Sequence, residues 1–438
     1  MNFDRLREQI LERAIQGKLV PQLESEPGVA QITGRPKEPP FAIPEKWKWA
    51  QLKNVGKIVG GGTPKTNIAE YWENGQILWF TPSDLGKVRG LYAETSARKI
   101  TLSGLQSSAA TMMPKGTVLF SSRAPIGHIA LAPAECCTNQ GCKSFVANSS
   151  YILPLWAYWV LVNRKDDIIS RASGTTFKEI SLKGMSETWI PLPSIQEQQR
   201  IIDKIQRLFR FVDLAEVNFR DLQLLSRILH RRTLQLAIQG KLVPQLESEP
   251  EVIGVKASSV KVPFIIPEKW KWFLLGEVID YGKIEQVRSS FASNDTWTLD
   301  LEDIEKNTGR ILLKKRGVAS TSNKNIFKKG WVLYSKLRPY LNKVVIADED
   351  GFCTTEIVPI DTSKARIPLT ADYLQAYLMS PHFLAYANQV AHGVKMPRIG
   401  TKDVKASMIP IPPLAEQKRI AQQLKKLFHN INELKKNK

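Results

Sequence analysis

At 438 residues, with 43% hydrophobic and 24% charged side chains, the chain is ordinary globular material, long enough for two or three domains. Lysine and arginine number 62 against 42 aspartates and glutamates, and a net charge of +20 points to a polyanionic partner; a basic but inert surface is the alternative reading of charge alone. The four cysteines lack zinc spacing, no apolar run reaches 18 residues, and MNFDRLREQI has no apolar core for secretion. Reduced thiols in a cytoplasmic protein are therefore expected, with no metal and no membrane span.

Phe3, Leu6 and Ile10 fall at three-four spacing and predict a helix over residues 1–16, with Gly17 at its C-terminal cap. The helix runs into AIQGKLVPQLESEP, residues 14–27, which recurs letter for letter at 237–250. At the same offset of 223, PFAIPEKWKW (40–49) returns as PFIIPEKWKW (263–272), with Ala42 replaced by Ile265. The protein is thus two copies of one unit. Residues 28–40 are rich in proline and glycine and read as a linker.

A mixed domain follows to about Pro193, with strands expected at 76–80, 117–121 and 128–132 and helix at 155–170. Gly60, Gly61 and Gly62 before Thr63 make a flexible turn; with no GxxxxGK[ST] after it, a nucleotide loop is disfavoured.

The longest regular segment comes next. Ile201, Ile205, Leu208, Val212, Ala215, Phe219 and Leu222 alternate steps of four and three, a heptad seam that weakens through Ser226 and resumes at Leu229, Thr233 and Leu236. A helix over 195–239 would be ~67 Å long, and such a seam needs a partner helix. The second copy repeats the plan: linker 251–262, mixed domain, and a closing helix with Ile420, Leu424, Leu427, Ile431 and Leu434 on its seam. Ile190-Pro191-Leu192-Pro193 matches Ile409-Pro410-Ile411-Pro412 at an offset of 219. By these offsets the C-terminal helix is the first half of the central helix and the N-terminal helix its second half. The chain behaves as a ring of two units cut inside one helix.

The expected architecture is α+β. Two pseudo-twofold-related mixed α/β domains, 28–194 and 251–412, sit on a long antiparallel two-helix coiled-coil spacer made of 1–27, 195–250 and 413–438. Two independent domains on a loose linker would leave both seams exposed.

The copies agree at domain edges and differ in their middles, which suits one partner held twice and two things read, although neutral drift would give the same pattern. With the net charge, this suggests a divided DNA target, in which cations hold phosphates and polar loop groups read base edges. The candidates in the first domain are Thr63, Lys65, Ser83, Asp84, Lys87, Arg89, Ser122, Arg123, Thr175, Thr176 and Lys178. In the second they are Lys336, Arg338, Lys343, His392, Lys395 and Arg398. No catalytic constellation is legible: His128, His230, His382, His392 and His429 have no metal spacing, and no GxSxG elbow occurs. The acids Asp166-Asp167 and Asp348-Glu349-Asp350 read as solvated loops or helix ends.

The motifs GGTPKT, YWENG, WFTPSDL, SSRAPIG with TNQG, LYSKLRPYLNK with TTE, and the doubled AIQGKLVPQ resemble those of type I restriction-modification specificity subunits, over nearly the whole chain. The resemblance implies two target-recognition domains on a helical spacer, each reading half of a split double-stranded DNA sequence. It also implies two adenine-methyltransferase subunits and two restriction subunits as partners, which carry the S-adenosylmethionine, ATP and Mg chemistry, leaving this chain non-catalytic and without a cofactor. A stand-alone DNA-binding regulator or architectural protein is the alternative, and an enzyme acting on nucleic acid a third.

Overall fold

The computed structural model describes residues 2–29, 32–174, 178–253, 262–288, 295–316 and 322–436. The chain forms two compact units, Met1–Asn218 and Phe219–Lys438. The linker expected at 251–262 lies mostly outside the described residues.

In the first unit, Asn2 Oδ1 accepts from the Arg5 backbone N–H at 3.1 Å and starts the helix Phe3–Ile15. Gly17, at φ 70°, ends it in the left-handed conformation that glycine adopts without strain. The helix lies antiparallel on the first half of the central helix Ile195–Ile238, which contains no glycine or proline. Arg7 bonds Asp213 and Glu216, each at 2.7 Å, while Leu11, Ala14 and Ile15 pack with Ile201, Ile202 and Ile205.

The doubled segments make a latch where chain and helix meet. Arg200 donates to the Glu26 carboxylate at 2.7 and 2.6 Å and to the Pro21 carbonyl. Lys46 Nζ caps the carbonyls of Leu23, Glu24 and Glu26 at 2.8 to 2.9 Å. Gln198 accepts from the Leu153 N–H and donates to the Tyr151 and Pro193 carbonyls. The second unit repeats the set on its closing helix, Leu414–Lys436, antiparallel to the second half of the central helix. There Arg419 bonds Glu249 and the Pro244 carbonyl. Lys269 caps Leu246, Glu247 and Glu249, and Gln417 bonds Thr370, Pro368 and Pro412.

Two expectations need correction. Residues 155–170 form two helices, Pro154–Asn163 and Lys165–Ser170, broken at Arg164, whose guanidinium pairs with Asp167 at 3.1 Å in the first turn of the second helix. The seam of the central helix also does not resume at Leu229, which is 49% exposed. It runs through Ser226, 4% exposed, to His230, stacked on Phe428 at 3.8 Å, then Leu234 and Ile238. Beyond Leu222 the buried face therefore steps by four, through Ser226, His230 and Leu234, in place of the heptad alternation.

The first unit contains strands β1 (Lys48–Gln51), β2 (Gly56–Gly60), β3 (Ile77–Phe80), β4 (Arg98–Ile100), β5 (Val118–Phe120), β6 (Ile129–Leu131), β7 (Cys136–Thr138), β8 (Lys143–Ala147) and β9 (Trp189–Leu192). They form a β1–β9 pair, a sheet in the order β2-β8-β5-β6 and a sheet in the order β4-β3-β7. The expected strands at 76–80, 117–121 and 128–132 are therefore β3, β5 and β6. The second unit contains β10 (Lys271–Leu274), β11 (Gln286–Arg288), β12 (Trp297–Leu299), β13 (Lys315–Arg316), β14 (Asn323–Phe327), β15 (Val332–Ser335), β16 (Val344–Ile346), β17 (Gly351–Thr354), β18 (Ile357–Ile360) and β19 (Met408–Ile411). Its β10–β19 pair and β16-β15-β18 sheet resemble elements of the first unit, whereas its five-stranded sheet, β11-β14-β17-β12-β13, has no five-stranded counterpart among the described residues. The four cysteines are free and buried, and burial pushes the Cys136, Cys137 and Cys142 thiols up to about 12.

Candidate nucleic-acid interface

In the first unit three loops meet beside the turn between β7 and β8. The first follows β5: the Ser122 N–H donates to the Gly141 carbonyl at 2.8 Å, and Ala124 holds a left-handed φ of 49°. The second is a finger whose base is closed by reciprocal backbone bonds between Ser173 and Glu179 at 3.2 and 2.9 Å. The Ile180 N–H donates to the Ser122 carbonyl and ties the two loops together. Glu179 then gathers the side chains: Ser122 Oγ donates to it at 3.3 Å and Lys143 Nζ at 3.1 Å, with Arg123 at 3.7 Å.

The third loop is the glycine-rich turn. The Gly62 N–H donates to the Thr138 carbonyl at 2.9 Å, and the Thr63 hydroxyl donates to the Gln140 side-chain carbonyl. Two indoles hold the turn from behind, Trp79 Nε1 donating to the Gly62 carbonyl at 2.9 Å and Trp72 Nε1 to the Lys65 carbonyl at 3.0 Å. The glycines are needed for close approach, since a Cβ on Gly61 would lie 2.1 Å from the Asn139 carbonyl oxygen and one on Gly62 2.3 Å from the Ala110 nitrogen. Thr63 and Lys65 are left exposed.

The remaining candidates divide. Ser83, Lys87 and Arg89 are exposed on and after the short helix Pro82–Leu85, and Arg89 folds back toward the Gly86 carbonyl at 3.3 Å. Asp84 is a correction: it is buried, its carboxylate accepting from the Thr81 N–H and hydroxyl at 2.8 and 2.6 Å and from the Ala97 N–H at 3.0 Å. It caps the helix and has no free edge for a base. Lys178 is exposed on the finger, while Thr175 and Thr176 lie outside the described residues.

The second unit builds the same scaffold with other chemistry. The Lys336 N–H donates to the Glu356 carbonyl as Ser122 does to Gly141, and the Ile399 N–H donates to the Lys336 carbonyl as Ile180 does to Ser122. His392 and Arg398 close a second finger by reciprocal bonds at 2.9 Å. Arg338, at φ 50°, occupies the place of Ala124, and its N–H donates to the Pro397 carbonyl at 2.7 Å. The brace is inverted in charge. The first unit puts an acid, Glu179, on the finger and its cations on β8 (Lys143) and the loop after β5 (Arg123); the second puts Arg398 on the finger and Glu356 in the turn between β17 and β18, joined at 2.9 and 3.1 Å. Lys395 and His392 are exposed, and Arg338 and Lys395 have no acidic partner among the described residues. Lys343 is a second correction. It is half-buried, its Nζ donates to the Leu301 carbonyl at 2.5 Å, and desolvation lowers its pKa, so its ammonium is engaged within the unit.

Sequence reasoning missed Gln140, Glu179 and Arg98, which the fold places beside the predicted residues. TNQG held the signal for Gln140; for the other two none was present. Among the described residues, no group of three His, Cys, Asp or Glu is placed to hold a metal ion, and no helix is long and apolar enough to cross a membrane.

The family model for the type I restriction modification DNA specificity domain matches residues 44–219 and 267–438. The chain is 26% identical over 403 residues to the type I restriction enzyme MjaIX specificity subunit of Methanocaldococcus jannaschii, covering 89% of this chain and 88% of that protein. It is 25% identical over 399 residues to the EcoDI specificity subunit of Escherichia coli, covering 88% and 82%. The crystal structure of the HsdS subunit from Thermoanaerobacter tengcongensis has the same fold, with a TM-score of 0.57 at 20% identity over 92% of this chain and 94% of that one. Duplicated latches, paired mixed domains and a family match over both copies lead to one conclusion: the chain belongs to the type I restriction-modification DNA specificity family.

Proposed function

We propose that this chain is the non-catalytic specificity subunit of a cytoplasmic type I restriction-modification complex. Each unit reads one half of a split, asymmetric double-stranded DNA target. The bound partners are two methyltransferase subunits, which modify adenine with S-adenosylmethionine, and two restriction subunits that use ATP and Mg. The carrying observation is the contrast between copies. The Arg200–Glu26 and Arg419–Glu249 latches are the same, while the loops around Ser122 and Lys336 share a backbone scaffold and differ in side-chain chemistry. Common anchoring with unlike reading edges is what one complex needs to recognise two different half-sites. Genome-wide methylation mapping with and without the gene tests this. A split motif that loses its methylated adenines on deletion is expected; an unchanged methylation pattern overturns the proposal.

A further inference from the structure

We propose that Arg98 is a base-reading residue of the first unit, a guanidinium held flat on Trp72 to contact a guanine edge through two hydrogen bonds. This rests on the DNA-reading function proposed above and names a residue for it. Arg98 opens β4 opposite Trp79 of β3, and its Cζ lies 3.4 Å from the centroid of the Trp72 ring. Trp72 in turn stands edge-on to Trp79 at 5.1 Å. These are the two indoles that hold the glycine-rich turn through the Gly62 and Lys65 carbonyls. One aromatic pair therefore positions both the turn bearing Thr63 and Lys65 and the Arg98 cation.

Arg98 is exposed, and among the described residues its guanidinium has no acidic partner and no hydrogen-bond acceptor. Its neighbours in the sequence pattern differ: Arg123 leans on Glu179, Arg200 on Glu26, Arg316 on Glu349 and Arg398 on Glu356. The second unit supplies an internal comparison. There Lys314 Nζ lies 4.8 Å over the Trp297 ring, but Asp348 and Glu349 take it at 2.7 Å each. A stacked cation is neutralised in one copy and left with all its donors free in the other. Stacking restrains the long side chain without consuming its N–H fork, which lowers the entropy cost of a two-point contact. That fork matches the O6 and N7 acceptors of guanine in the major groove.

The test uses the complex with its methyltransferase subunits and the target found by methylation mapping. Binding of wild type, Arg98→Lys and Arg98→Ala is measured on the native duplex and on duplexes with each G·C pair of the split site replaced by A·T, at several salt concentrations. Thermal denaturation checks that both variants fold, and Arg98→Lys, which keeps the charge, carries the test if Arg98→Ala is unstable. Both variants are expected to bind the native target about 5- to 150-fold more weakly. Discrimination at one G·C pair should collapse toward unity, with little change on unrelated DNA. Full discrimination at every pair in Arg98→Lys overturns the proposal. So does uniform weakening in Arg98→Ala that Arg98→Lys restores, which marks a phosphate contact. A wild-type complex without any sequence preference overturns the DNA-reading function as well, so the two failures are distinct.

Discussion

The Trp47 indole donates a 2.9 Å hydrogen bond to the buried Glu197 carboxylate, and Trp270 stands in the same relation to Glu416 at 3.0 Å. Burial raises both glutamates above the ordinary value of 4.5, against the opposing effect of the indole bonds. Each therefore holds its proton more tightly folded than unfolded. Its contribution to stability is complete below pH 4.5 and is lost as pH rises through the folded-state value. Glu26 has the opposite sign, since Arg200 lowers it, and its contribution is lost as pH falls. As pH rises above 4.5, denaturation midpoints should fall less steeply in Glu197→Gln/Glu416→Gln than in wild type. A slope equal to that of wild type would show that these two groups do not titrate in the window.

Gly61→Ala should displace the glycine-rich turn, because its methyl group meets the backbone of Thr138 and Asn139 rather than a side chain that can yield. The expected cost is about 1–3 kcal/mol of stability, with recognition lost at one half-site and kept at the other. Thermal melts and binding to duplexes altered in one half-site at a time measure both.

Lys65 is exposed with no acidic partner among the described residues, whereas Arg123 shares Glu179 with Lys143. If both meet phosphate, Lys65→Ala reduces the slope of log affinity against log salt by about one, and Arg123→Ala reduces it by less, since its charge is partly met already. Equal slopes in wild type and Lys65→Ala would remove Lys65 from the phosphate contacts.

The central helix sets the distance between half-sites under the proposed function. Inserting four residues within Ile195–Ile238 adds ~6 Å and should lengthen the unread gap of the target by about two base pairs at 3.4 Å each. Methylation mapping of the insertion variant reads the gap directly, and an unaltered gap contradicts the ruler.

The helices and the latch were legible because apolar spacing and literal repetition are local properties of a sequence. The expected heptad holds through Val212, but Ala215 is exposed, and beyond Leu222 steps of four carry the buried face to Ser226 and His230. Site residues were only half legible. Asp84 reads from sequence as a DNA-binding candidate, yet it sits three residues after Thr81, which is the spacing of a capping pair. Arg98 could not be found from sequence, because its meaning lies in Trp72, which only the pairing of β3 with β4 brings beneath it.

The inverted brace constrains how a target can be changed by exchange of parts. A finger moved alone from the first unit to the second would set the carboxylate of Glu179 against that of Glu356, with neither base to receive it. The reverse graft would crowd Arg398 onto Lys143 and Arg123. Each finger is matched by sign to the groups it packs against, so the smallest portable reading device is the whole interior between the shared borders.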